Sequence, residues 1–304
     1  MPVSTFKTIF ELLKTMFREF QRDNVIALSA SIAFYTIFSL PGMLILIIRV
    51  TGLFIEEDMI KGTLSRQVGE VVGESAANEV QKIIENADLT HTTPLMTIVG
   101  LSILAFSASS VFTIIQSSLN TIWGVRPKPK KGILKLIKNR VLSFLMVLFL
   151  GMLMLLSIFI DLFMTVFRDM LILILPGILS TIVPLMSAIV SFLILAIAFA
   201  FIFKVLPDVR IPWKDVAVGA LVTTLLFTIG KYLIGIYLTT SNFNTTYGAA
   251  GSIVLILIWV NYSAMIMLLG VEFTQAYAKV MGHKVTPSSN TVQIEMKEID
   301  VNNS

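Results

Sequence analysis

The stretch Tyr247-Gly-Ala-Ala-Gly-Ser-Ile-Val-Leu-Ile-Leu-Ile-Trp-Val-Asn-Tyr-Ser-Ala-Met-Ile-Met-Leu-Leu-Gly-Val-Glu-Phe273 decides the class of this protein. No charge interrupts it from Gly248 to Val271. At about 1.5 Å rise per residue, that run crosses a bilayer core of about 30 Å. Gly248, Ala249, Ala250, Gly251 and Ser252 open it with small side chains, where a second helix can approach closely. Asn261 places a carboxamide near its middle, where lipid offers no hydrogen-bond partner, and Glu272 closes it.

The composition agrees. Of 304 residues, 56% are hydrophobic and 14% are charged, against about a quarter charged in soluble domains. The chain has no cysteine, so disulfides, thiolate nucleophiles and Cys-ligated metals are excluded. Its two histidines, His91 and His283, lie in different loops, so we expect no metal site and no cofactor. No phosphate-cradling glycine loop, HExxH, GxSxG or paired catalytic carboxylates occur, so an enzyme is not expected.

Working outward from 248–273, the apolar pattern predicts an all-α bundle of six membrane spans, at about 25–50, 94–122, 141–167, 185–203, 216–237 and 248–273. Residues 1–24 are too polar for a signal peptide. Phe6, Ile9, Phe10, Leu13, Phe17 and Phe20 recur at helical spacing, with Lys7, Lys14, Arg18 and Arg22 between them. This is an amphipathic helix that either lies in the membrane interface or packs under the bundle. The loop 51–93 is acidic, with two short amphipathic helical patterns that break near Gly73, and predicts an extracytoplasmic helical hairpin. The run 170–177, broken by Pro176 and followed by Pro184, is too short to span and reads as re-entrant or interfacial. The domain division is therefore 1–24, 25–281 and a polar, disordered cytoplasmic tail over 282–304.

Lys and Arg decide orientation. With the N-terminus inside, Lys7 to Arg22, Arg126 to Arg140, Lys204, Arg210, Lys214, Lys279 and Lys284 are all cytoplasmic. The outer loops keep only Lys61, Arg66, Lys82 and Arg168. Both termini are thus expected in the cytoplasm.

The candidate residues are polar groups at membrane depth. Ser31, Tyr35 and Ser39 share a face of the first span, which Pro41 should kink. Ser102, Ser109, Thr113, Gln116 and Asn120 form a stripe on the second. Asp161 and Lys231 sit at matching depth in the third and fifth spans. A lone charge at a helix centre costs about 2.5–3.5 kcal/mol, so the two either pair, belong to a substrate or proton path, or face a water-filled cavity. Arg49 either snorkels to headgroups or contacts an anionic lipid or substrate. Glu272 lies near Lys204, Lys214 and Arg140 in depth, which suggests an ion pair or, alternatively, a relay. Asn120 and Asn261 serve as interhelical glue or line a path. Arg126, Lys128, Lys130 and Lys131 suit anionic headgroups, with nucleic acid not expected. Membrane lipids and a second copy of the chain are the partners this pattern allows.

Several blocks together resemble the YihY/BrkB family of bacterial inner-membrane proteins, some of whose members carry a ribonuclease BN label. They are Ala27-Leu-Ser-Ala-Ser-Ile-Ala-Phe-Tyr-Thr-Ile-Phe-Ser-Leu-Pro41, Leu119-Asn-Thr-Ile-Trp-Gly-Val-Arg-Pro127, Leu206-Pro-Asp-Val-Arg-Ile-Pro-Trp213 and the stretch from Tyr247 through Trp259 to Tyr277. The resemblance implies a polytopic protein of the bacterial cytoplasmic membrane. It also implies links to serum resistance, envelope integrity and, in one branch, lipid transport across the inner membrane. It assigns no site residues. The expected function is transporter-like, binding or moving an amphipathic envelope component. The alternatives are a scaffold for envelope integrity without transport and, more remotely, a membrane-tethered ribonuclease, which no metal-ligand cluster or histidine arrangement supports.

Because the chain lacks cysteine, its orientation is directly testable. A single cysteine at Ser75 should react with an impermeant thiol reagent in intact cells. Reaction only after permeabilisation would reverse the topology.

Overall fold

The computed structural model describes residues 5–52, 57–72, 74–86, 94–128, 145–146, 149, 152–153, 156, 160, 179–240, 250–288 and 291–294. Its elements are α1 (Thr5–Arg22), α2 (Val25–Thr51), α3 (Glu57–Val72), α4 (Glu74–Asn86), α5 (Pro94–Ile122), β1 (Val125–Pro127), α6 (Leu179–Val205), β2 (Val209–Arg210), α7 (Trp213–Thr240), α8 (Gly251–Val280), β3 (Thr286–Pro287) and β4 (Thr291–Gln293). The chain is overwhelmingly helical. Four of the described helices are long and apolar enough to cross a membrane: Val25–Ile45, Leu185–Val205, Trp213–Leu238 and Gly251–Val280. α5 covers the second expected span in full. The expected third span, 141–167, and the run 170–177 fall almost wholly outside the described residues.

α8 is the hub, with α1, α2, α3, α4, α5 and α7 all packed against it. Its partnership with α7 rests on a repeated pattern. Gly219 and Thr223 lie one turn apart on α7, and Gly270 and Thr274 lie one turn apart on α8. Each glycine faces the other helix's threonine: a Cβ at Gly219 would collide with the Thr274 side chain, and one at Gly270 with Thr223. The hydroxyls do not bridge the helices. Thr223 donates to Gly219 O at 2.6 Å and Thr274 to Gly270 O at 2.7 Å, which satisfies them within their own helix. The threonine methyls then fill the space the glycines leave, a small-residue contact of the kind that brings helices together in lipid. Further along, Gly230 takes Ile266 and Tyr262 in the same way.

Around this pair, Val25, Ile32, Phe112, Leu119, Phe199, Val216 and Leu268 belong to one buried apolar cluster. At the opposite end, Leu44 and Ile48 of α2 bury against Ile60, Leu64, Val80 and Ile84 of the packed helices α3 and α4. Ala76 of α4 closes onto Ile234, Leu238, Leu255 and Ile256.

Two boundaries differ from the sequence expectation by more than a turn. α6 starts at Leu179 and runs through Pro184. That proline removes one ladder donor in the second turn, a loss that membrane helices tolerate. α8 continues past Phe273 for almost two further turns to Val280, because nothing between them breaks a helix. It stops at Gly282, whose φ of +69° closes the end with His283 N donating to Ala278 O at 2.9 Å and Gly282 N to Lys279 O at 3.2 Å.

Within the tail, the described residues 282–288 and 291–294 depart from the expected disorder. β3 pairs with β2 (Val209↔Pro287, Arg210↔Thr286) and β4 with β1 (Val125↔Gln293, Arg126↔Val292, Pro127↔Thr291), both antiparallel. The tail therefore forms a strap across the loops that follow α5 and α6. Its polar composition misled because this pairing uses backbone groups, which composition does not report. Residues 295–304 lie outside the described set.

The reciprocal glycine contacts yield a test. Gly219→Ala and Gly270→Ala should each lower stability in detergent by about 1–3 kcal/mol through overpacking. Adding Thr274→Ala to Gly219→Ala should recover most of the loss, because it removes the colliding atoms. Thermal melting in a mild detergent measures both.

Candidate functional site

The described polar residues do not gather in the middle of the bundle. They gather where α1, the ends of α5 and α8, the α6–α7 loop and the strap meet.

α1 builds one wall. Its wheel has three faces. Phe10, Leu13 and Phe17 are 65%, 49% and 61% exposed. Lys7, Lys14 and Arg18 lie on the adjoining charged face, with Lys14 and Arg18 also exposed. Leu12 and Glu19 are buried on a third face, as is Asp23 just beyond the helix, and α1 packs against α8. The sequence offered an interfacial helix or a helix packed beneath the bundle as alternatives, and this geometry accommodates both roles at once. Asn24, at φ +51°, turns the chain directly into α2. Asparagine is among the residues that tolerate this conformation.

The charged groups of this wall are mutually engaged. Arg22 bridges Glu19 and Asp23, bonding Asp23 Oδ1 through Nε at 2.9 Å. That bond to Asp23 holds the Arg22 guanidinium above its ordinary range despite partial burial. Lys279 of α8 reaches Glu19 at 3.4 Å and donates to Gln275 Oε1 at 3.3 Å. Gln275 in turn donates to Ile122 O at the last turn of α5, which satisfies a carbonyl the helix end would leave unpaired.

Two further clamps tie the loops down. Asn120 donates through Nδ2 to Asp208 Oδ2 at 3.0 Å and accepts from Asp208 N at 2.8 Å. Asp208 O accepts from Ser288 N at 2.9 Å and from the Thr291 hydroxyl at 3.2 Å. Asp215, fully buried in the first turn of α7, holds His283 Nδ1 at 2.6 Å. A carboxylate is favoured at that helix N-terminus.

Between these parts lies a cleft of about 530 Å³. Arg22, Arg126, Lys279 and His283 supply its basic lining and Asp23 an acid. Trp123, Val125, Val209, Val285 and Ile294 supply apolar surface. It is therefore amphipathic, and it opens at the C-terminal end of α1, which contributes Arg22 with Asp23 just beyond.

The sequence candidates are placed as follows. Asn120 is glue at the end of α5, joined to Asp208, and not a mid-membrane residue. Ser109 and Gln116 of the same stripe are buried, but Thr113 is exposed. Tyr35 is exposed on α2, edge-on to Phe34 at 5.9 Å between centroids, while Ser39 is buried. The helix continues through Pro41. Lys231 is exposed on α7, and Asp161 lies outside the described residues, as does the side chain of Arg49. Asn261 stands mid-way along α8 with its Oδ1 buried and without a hydrogen-bond partner. Arg126 and Lys128 are exposed, with Lys130 and Lys131 outside the described set.

Glu272 is the largest departure. The expected neighbours Lys204 and Lys214 do not pair with it: Lys204 donates to Ile211 O and lies 5.2 Å from the Trp213 ring centroid. Arg140 falls outside the described residues. Glu272 is 0% exposed, and both its oxygens lack a hydrogen-bond partner. Because α8 runs on to Val280, Glu272 lies about two turns within the helix and not at its end. Among the described residues, no group of three or more His, Asp or Glu is placed to hold a metal.

Sequence reasoning missed Glu19, Asp23, Asp208, Asp215 and Gln275. For the first two a signal existed: Leu12, Glu19 and Asp23 recur at spacings of seven and four, off the charged face of α1. For Asp208 and Asp215 none existed, since loop partners far apart in sequence have no period.

A helical bundle with long apolar helices, an amphipathic first helix and a polar strap defines a polytopic membrane protein. Residues 16–295 match the family model described as virulence factor BrkB, and the chain belongs to that family. Its relatives include proteins named UPF0761 membrane protein. That of Alkalilimnicola ehrlichii is 26% identical over 264 residues, covering 85% of this chain and 56% of the relative. That of Psychromonas ingrahamii is 25% identical over 271 residues, covering 88% of each. That of Yersinia pestis is 34% identical over 98 residues, 32% of this chain and 33% of the relative. The chain thus spans little more than half the length of the first of these. No solved structure matches the chain.

The double bond between Asn120 and Asp208 is a further point of test. Asn120→Ala removes two hydrogen bonds to one loop residue and should cost about 1–3 kcal/mol. Proteolysis should then cut the strap at Lys284 faster than in the parent, with thermal melting giving the stability loss.

Proposed function

We propose that this protein is a non-enzymatic membrane protein that binds or moves an amphipathic, lipid-like envelope component, with both termini on the cytoplasmic side of a bacterial inner membrane. The observation that carries the reading is the amphipathic cleft next to α1. An aromatic stripe at the bilayer surface fixes a helix at headgroup level, and the cleft at the C-terminal end of that helix offers cations and apolar surface together. Arg126, exposed and lining the cleft, and Lys128, exposed two residues further on, fit an anionic headgroup. The concentration of basic residues at this end supports the cytoplasmic assignment.

A scaffolding role without transport is the second reading. The packed apolar cluster between α2, α5, α7 and α8 favours it, since those described side chains fill the space a path would use.

Native mass spectrometry of the protein purified in a mild detergent distinguishes the two. Under the first reading, phosphatidylglycerol is retained above its share of the membrane, and Arg126→Glu reduces that retention about fivefold, the factor that about 1 kcal/mol per basic residue supplies. A retained lipid profile equal to the bulk membrane, unchanged by Arg126→Glu, would sink the first reading and leave the scaffold.

A further inference from the structure

Three carboxyl groups converge where α1 docks on α8. Glu272 comes from α8, Glu19 from α1, and Asp23 from the turn that follows. All three are nearly or fully buried. Among the described residues, the charged groups acting on Glu272 are Asp23, Glu19, Arg22 and Lys279. None comes from α2, α3, α4 or α5, and Asp215 of α7 is already engaged by His283.

The two cations are committed elsewhere. Arg22 bridges Glu19 and Asp23, and Lys279 reaches Glu19. Arg18 touches Glu19 at 3.7 Å, but from solvent. Among the described residues no cation lies within ion-pairing distance of Glu272, and no donor satisfies either of its oxygens. An ionised carboxylate buried without a partner is among the most costly groups a protein can carry. Here it would also face two other carboxylates across the α1–α8 contact, a like-charge arrangement.

The site lies close to the cleft. Gln275 and Lys279 follow Glu272 on the same face of α8 at i+3 and i+7. Both line the 530 Å³ cleft, together with Arg22 and Asp23. Glu272 therefore lies one helical turn beneath the cleft floor.

We propose that Glu272 is a proton-binding site reached from this cleft, and that its charge state sets how firmly α1 docks on α8. The proton comes from solvent water in the cleft and returns there. With Glu272 neutral, Arg22 and Lys279 balance Glu19 and Asp23, and α1 stays seated. With Glu272 ionised, a third negative charge presses α1 away from the hub helix. The site does not depend on what the cleft carries.

Dicyclohexylcarbodiimide, which modifies protonated carboxyls in apolar surroundings, tests the site on the purified full-length protein. Mass spectrometry should find the adduct on Glu272, decreasing as pH rises and absent in Glu272→Gln. Trypsin cleavage after Lys14, measured against cleavage after the exposed Lys284 in the same digest, reads the docking of α1. The ratio should rise with pH by on the order of tenfold, the factor that about 1.4 kcal/mol supplies, and should be flat in Glu272→Gln. Three results would overturn the proposal: Glu272 unmodified at every pH, Glu272 modified equally at every pH, or an Lys14 ratio with the same pH profile in the parent and the variant. The carbodiimide profile of the parent decides the matter even if Glu272→Gln does not fold.

Discussion

The distance between α7 and α8 governs the arrangement of the whole bundle. It is set by two glycines that each receive the other helix's threonine, and the threonines spend their hydroxyls on their own backbone. In lipid, apolar surface alone gives helices little reason to associate, so close van der Waals contact has to do it. Once α7 and α8 are joined, α8 presents its remaining faces to α1, α2, α4 and α5. Among the described residues, the apolar cluster then fills the space between the helices.

Polar chemistry is displaced to one end as a consequence. There the last turn of α5 leaves the Ile122 carbonyl unpaired, and Gln275 from α8 satisfies it, while Lys204 serves the loop carbonyl of Ile211 seven residues on. Asn120 and Asp208 lock the α6–α7 loop to α5, and the strap fastens onto the same Asp208 carbonyl. A cleft survives between these clamps because α1 approaches α8 through charged groups and not through a continuous apolar face. The feature with a role in binding and the feature that holds the end together are therefore built from the same residues.

Much of the architecture could be read from the apolar pattern. The long uncharged run ending at Glu272 marked a membrane helix, and α2 and α5 match their expected limits within a residue. The amphipathic spacing of α1 was equally plain. What went astray was the inference from depth for Asn120 and Glu272. Asn120 looked like part of an intramembrane stripe but sits at the helix end, in a loop clamp. Glu272 looked like the end of a span with lysines beside it, but its helix runs on and Lys204 is bonded to Ile211 O instead. The tail looked disordered because strand pairing through backbone groups leaves no mark on polar composition.

The sequence by itself determined that this is a helical membrane protein, which helices are long enough to span, and that basic groups collect at one end. Those properties follow from hydropathy and spacing, which are local along the chain. The tertiary structure alone decided which groups meet: Gly219 with Thr274, Asp215 with His283, and Glu272 with the carboxylates of α1. Partners separated by tens or hundreds of residues share no period, so their meeting depends on how the helices cross. In this chain the crossings of α8 with α7 and with α1 set those meetings.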